Sequence, residues 1–143
     1  MIRVLVVEDF EPFRRLICSM LRKMPGLQII AEASDGLEAV RKAEELQPDL
    51  IQLDVGLPSL NGIEAARRIR TLSPKSKIVF VTQESDPDLL QEALNLGAKG
   101  YVVKTNVASD LLAAVDAALG GRSFVSGGLE VQEFTTQAQT TRI

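Results

Sequence analysis

Apolar positions along this chain of 143 residues come in short blocks of two kinds that take turns. Residues 2–7 (Ile-Arg-Val-Leu-Val-Val) are β-branched, too few for a helix and ended by two acids, which predicts a strand buried on both faces. After Pro12, whose missing N–H costs nothing near a helix start, Phe13, Leu16, Ile17, Met20, Leu21 and Met24 recur at helical spacing until Pro25-Gly26. A second strand is expected over 27–33, a turn at Ser34-Asp35-Gly36, and a helix from about 37 to 47 that stops at Pro48. Residues 49–53 predict a third strand ending at Asp54, followed by a loop with Gly56 and Pro58 and a helix opened by Asn61-Gly62. That helix carries Ile63, Ala66, Ile69 and Leu72 on one face. A fourth strand over 77–82, a helix from about 87 to 96 closed by Gly97, a fifth strand over 99–103 and a last helix ended by Gly120-Gly121 complete the alternation.

Five strands alternating with five helices through such short connections require parallel strands with right-handed crossovers, hence a doubly wound α/β sandwich. Sheets of this kind bind ligands beyond the carboxyl ends of their strands. At those ends stand Glu8 and Asp9, Asp54, Thr82 and Lys104. Residues 125–143 are rich in Ser, Thr and Gln without period and read as linker or disordered tail.

Composition narrows the chemistry. Sixteen basic against 19 acidic residues give a net charge of -3, so the chain as a whole has no electrostatic reason to bind nucleic acid. No apolar run approaches the roughly 20 residues of a membrane span, and the N-terminus lacks a signal-peptide core, so a cytoplasmic location is expected. The absence of histidine removes Ser-His-Asp and Cys-His catalysis and His-ligated metals. Cys18, with no histidine partner, is expected to pack at a helix surface rather than act as a nucleophile.

Three carboxylates at one edge, Glu8, Asp9 and Asp54, repel each other unless a cation joins them. A hard ion such as Mg²⁺ prefers such oxygen ligands and suits a set without imidazole. Lys104 adds a second positive centre and Thr82 a hydroxyl donor, so the group describes a phosphoryl site. An Asp carboxylate can itself take the phosphoryl group, and Asp54, at a rigid strand end, is the candidate; Glu8 and Asp9 are better placed as metal ligands.

Val6-Val7-Glu8-Asp9, the run from Gln52-Leu53-Asp54 through Pro58 to Asn61-Gly62, Val81-Thr82 and Tyr101-Val102-Val103-Lys104 resemble the receiver domain of two-component response regulators over residues 2 to about 122. The resemblance implies the flavodoxin-like strand order 2-1-3-4-5, with residues 1–122 as the receiver and 123–143 as linker or tail. It further implies that Asp54 accepts phosphate from a histidine kinase, that Asp9 binds Mg²⁺ with Glu8 assisting, and that the Gly56 carbonyl completes the metal set. In the same reading Lys104 pairs with the phosphoryl group, Thr82 reorients to bond it, Tyr101 changes rotamer, and the surface of helix four, strand five and helix five carries the output. Gly120-Gly121-Arg122-Ser123-Phe124 resembles the receiver end of the LuxR or NarL subgroup, whose DNA-binding domain is expected outside this chain. Phosphorylation-promoted homodimerisation is expected as well, and no membrane contact.

Gln83 stands where a small residue is common in that family, and Gln83 and Glu84 are expected to tune the aspartyl-phosphate lifetime. Two rivals compete. An Asp-nucleophile phosphatase of the haloacid dehalogenase type usually has a second Asp two residues after the nucleophile, where this chain has Gly56. A flavodoxin-like carrier needs a phosphate loop after the first strand, where Glu8-Asp9 would repel a flavin phosphate. A stand-alone receiver acting through protein contacts is the alternative within the family. The Arg67, Arg68 and Arg70 cluster reads as a solvated helix face and is assigned no function.

Overall fold

The structure, a computed structural model, describes residues 1–83 and 86–126. In chain order the elements are β1 (Ile2–Val7), α1 (Glu11–Leu21), β2 (Leu27–Ala33), α2 (Gly36–Leu46), β3 (Leu50–Leu53), α3 (Gly62–Leu72), β4 (Lys77–Thr82), α4 (Pro87–Asn95), β5 (Gly100–Val103), a 3₁₀ turn (Lys104–Asn106), α5 (Val107–Leu119) and β6 (Phe124–Val125). All pairings are parallel, in the order β2-β1-β3-β4-β5-β6.

The sheet therefore has six strands, one more than the pattern predicts. Gly121, at φ 77°, redirects the chain after α5, and Phe124 and Val125 then lie beside Gly100 and Tyr101. Two residues are too few to display a strand period, so this addition to the sheet edge has no signature in the apolar pattern.

Alternation along the strands divides the interior in two. Leu5, Val7, Ile51, Leu53, Phe80 and Tyr101 face α2, α3 and α4, whereas Val4, Val6, Leu50, Val79, Val81 and Val102 face α1 and α5. Leu50 to Leu53 are buried at every position, as a central parallel strand covered on both faces requires. Among them is Gln52, fully buried on the α1/α5 side one residue pair below Asp54. Cys18 is 2% exposed and belongs to the core under α1, not to a helix surface, while Leu16 of the expected apolar face is 45% exposed.

Local chemistry sets the helix ends. Asp35 caps α2 by accepting from the Glu38 N–H at 2.8 Å, and Glu38 reaches back to accept from the Ser34 N–H at 2.7 Å. Asn61 caps α3 through the Glu64 N–H at 2.9 Å. At the opposite, N-terminal edge of the sheet, Gln47 Nε2 donates to the Leu72 carbonyl at 3.0 Å, Arg3 Nη1 donates to the Gln47 carbonyl at 2.9 Å, and Asp49 Oδ2 accepts from the Arg3 N–H at 2.8 Å. Side chains thus tie β1, α2, β3 and α3 together at this edge. No helix among the described residues is long and apolar enough to cross a membrane.

Candidate phosphoryl and metal site

β1 and β3 are neighbours in register, so Glu8 and Asp54, each one step past its strand, emerge side by side. Glu8 is fully buried and Asp54 is 4% exposed, while Asp9 is exposed. One oxygen from each of the three carboxylates lies within 4.8 Å of the others. Lys104, at the end of β5, sends its Nζ to 2.7 Å from Glu8 Oε1 and 3.4 Å from Asp54 Oδ2. Gly56 donates its N–H to Asp54 Oδ1 at 3.3 Å, and Phe10 donates its own to Glu8 Oε2 at 2.9 Å.

One lysine against three acids leaves the cluster two charges negative. Burial pushes the Glu8 carboxyl above its ordinary value, although Lys104 and the Phe10 N–H oppose the shift. For Lys104 burial acts to lower its value, but the Glu8 and Asp54 carboxylates outweigh it and hold the ammonium charged. A net negative group of oxygen donors, two of them buried and one open to solvent, fits a divalent cation that takes carboxylate oxygens, and the complete sequence offers no imidazole to favour a softer metal.

The structure brings most of the sequence-predicted residues to one cleft, lined by Asp9, Asp54, Gly56, Thr82, Gln83 and Lys104. Thr82 is buried at its rim and Gln83 is exposed. Tyr101 is not in the cleft. It lies fully buried on the opposite face of the sheet, its ring 6.4 Å from that of Phe80 at a 54° tilt. Glu84 lies outside the described residues.

Sequence reasoning missed three contributors. Phe10, Phe13 and Thr105 also line the cleft, and the Lys104 ammonium sits 4.7 Å from the centre of the Phe13 ring. The helical period assigned Phe13 to the core, against which it does pack; its place in the first turn after two acids is the signal for its second role at the cleft. Arg14, likewise unassigned, donates from Nη1 to the Glu8 carbonyl at 2.8 Å and from Nε to Glu32 at 3.0 Å, fixing the turn that presents the acids. Arg67 pairs with Glu64 on its own helix and with Glu92 on α4, so it joins two helices rather than facing solvent alone. Burial raises the Cys18 thiol, with Glu32 acting in the same direction, which removes it from consideration as a nucleophile.

The chain is a six-stranded parallel α/β sandwich with an acidic cluster and a lysine at its carboxyl edge. Residues 4–116 match the family described as the response regulator receiver domain, and the chain belongs to that family. It is 36% identical over 126 residues to the response regulator GacA of Pseudomonas viridiflava, covering 88% of this chain and 59% of that protein. The chemotaxis protein CheY of Listeria monocytogenes is 32% identical over 82% of this chain and 98% of its own length. The crystal structure of a two-component response regulator of the LuxR family from Aurantimonas sp. SI85-9A1 superposes with a TM-score of 0.87 at 32% identity, covering 95% of this chain and 96% of that one. The chain is thus the receiver domain of a two-component response regulator, similar to those of the LuxR family, and spans about three fifths of the length of GacA.

Proposed function

We propose that Asp54 accepts a phosphoryl group from a histidine kinase and that its phosphorylation switches the α4, β5 and α5 surface. The observation that carries this reading is the placement of one nearly buried carboxylate, Asp54, within 3.4 Å of Lys104 and beside two further acids, at the mouth of a cleft. A carboxylate oxygen of Asp54 attacks the phosphorus of a phosphohistidine; the P–O bond forms, the P–N bond breaks and its electron pair returns to the imidazole. Water later attacks the phosphorus, the bond to Asp54 breaks, and inorganic phosphate leaves.

Glu8, Asp9, Asp54 and the Gly56 carbonyl would hold Mg²⁺, which supplies charge compensation for the incoming phosphoryl oxygens. Lys104 pairs with those oxygens and the Thr82 hydroxyl donates to them. Tyr101 responds by changing rotamer within the β4/β5 core. Gln83, exposed at the cleft, and Glu84 tune the lifetime by limiting the approach of water. The protein is a signalling switch working in the cytoplasm rather than a turnover catalyst.

The output is transcription, through a DNA-binding domain outside this chain and a homodimer promoted by phosphorylation. The partial coverage of GacA and the likeness to a LuxR-family regulator support this. The near-complete coverage of CheY favours a second reading, a receiver that works through protein contacts alone. Intact-mass measurement after incubation with a small acyl phosphate and Mg²⁺ tests the chemistry. One labile phosphoryl group, lost in Asp54→Asn, is expected. No gain in mass refutes the assignment, and sustained release of phosphate from small esters supports the phosphatase instead.

A further inference from the structure

Past α5 the chain returns to the sheet. Phe124 and Val125 pair with β5, and the next residue, Ser126, is fully buried. Its N–H donates to the Tyr101 carbonyl at 2.9 Å. Its Oγ accepts from the Val103 N–H at 2.9 Å, and its hydroxyl donates to Asp110 Oδ2 at 2.9 Å. The other carboxylate oxygen of Asp110 takes the hydroxyl of Ser109 at 3.0 Å. One buried hydroxyl therefore joins the end of β5, the first turn of α5 and the strand that follows α5. Val125 packs on the Tyr101 side of the sheet and Phe124 on the Val102 side, so the docked segment grips β5 from both faces.

Val103 is the residue before Lys104. The direction in which the Lys104 stem leaves the sheet depends on how this strand end is held, and its ammonium must meet Glu8 at 2.7 Å and Asp54 at 3.4 Å while only 15% exposed. We propose that Ser126 is a positioning residue for Lys104, so that docking of residues 124–126 on β5 and the charge carried by Asp54 are coupled. The inference rests on Asp54 being the phosphoacceptor. Without the Ser126 hydroxyl a buried N–H loses its acceptor and Asp110 loses a donor, and the strand end loosens beneath Lys104. Coupling between two sites is reciprocal. A phosphoryl group that draws Lys104 away from Glu8 therefore alters the docking of residues 124–126, and the segment that follows receives the state of Asp54 through the backbone.

The test uses the full chain, with Ser126→Ala and Phe124→Ala; the second weakens docking through packing and leaves every group around Ser126 in place. Uptake and decay of the phosphoryl group are followed with a small acyl phosphate and Mg²⁺, and amide exchange at Ser126 and Val103 is measured with and without phosphorylation. Ser126→Ala should change uptake rate or phosphoryl lifetime by about three- to tenfold, the range open to one net hydrogen bond, Phe124→Ala should change it by more than about twofold in the same direction, and phosphorylation of the wild-type chain should change exchange at Ser126. Should Ser126→Ala fail to fold, Phe124→Ala decides. Rates within about twofold of wild type in the folded variants overturn the inference while leaving the role of Asp54 intact. A wild-type chain that takes up no phosphoryl group overturns both.

Discussion

Replacing Gly62 by alanine should damage stability and phosphorylation together. Gly62 is the first residue of α3, and a Cβ there would stand 2.0 Å from the carbonyl oxygen of Asp54 and 2.8 Å from its carbonyl carbon and from Val55 Cα. Those neighbours are backbone and cannot rotate away. To reach ordinary contact at 3.4 Å, the helix start or the phosphoacceptor backbone must give by about 1.4 Å, which also loosens the 2.7 Å bond from the Gly62 N–H to the Val55 carbonyl. Overpacking of this kind costs about 1–3 kcal/mol and the weakened hydrogen bond about 1 kcal/mol, against which alanine returns at most about 1 kcal/mol of helix propensity. The expected loss is about 2 kcal/mol, or a urea midpoint lower by about 1 M for a slope of roughly 2 kcal/mol/M. Displacement of a reacting group by about 1 Å also slows chemistry by up to about 100-fold, so uptake from a small acyl phosphate should fall in step. Gly56→Ala is the control, because a Cβ there meets nothing within 4 Å and stability should stay within about 0.5 kcal/mol. Equal midpoints for Gly62→Ala, Gly56→Ala and wild type would refute the reasoning.

Two further outcomes concern protons. The folded-state value of Glu8 lies above its unfolded value because of burial, so the native chain holds the proton more tightly. In chelator, stability should therefore fall as pH rises through the unfolded value and level off above the folded one; Glu8→Gln should flatten this decline and Mg²⁺ should reverse it, both read from urea midpoints across pH. Glu38 is the opposite case, its value lowered chiefly by the Ser34 N–H. Its contribution is present above the unfolded value and lost as pH falls through the folded one, so Glu38→Gln should cost about 0.5–1 kcal/mol at neutral pH and nothing in acid.

Most of the site was legible because strand ends are legible. Each β-branched run stops at a polar residue, and parallel pairing sends every stop to the same edge, which is why the sequence alone groups Glu8, Asp54, Thr82 and Lys104. Side-chain reach was not legible. Phe13 packs against the core as its helical period predicts, and the same ring also lies 4.7 Å from the Lys104 ammonium, a second contact that periodicity does not record. Gln52 fits no apolar strand pattern and is nevertheless fully buried, its Oε1 3.3 Å from the Val7 N–H. The sixth strand escaped for a different reason: its two residues are too few to show a period, and part of their hold on the sheet comes from the buried Ser126 hydroxyl and backbone bonds, which hydropathy does not record.

The two edges of the sheet differ in how they are fastened. Arg3, Gln47 and Asp49 stitch neighbouring elements at the N-terminal edge by side-chain hydrogen bonds, whereas the site lies at the other edge among loops and helix starts. Lys104 joins the end of β5 to the ends of β1 and β3, so that edge is tied as well, but by charge. A substitution at Gln47 removes the Nε2 link between α2 and α3, whereas a loop residue at the site edge that makes no such link can be exchanged with less consequence for the fold.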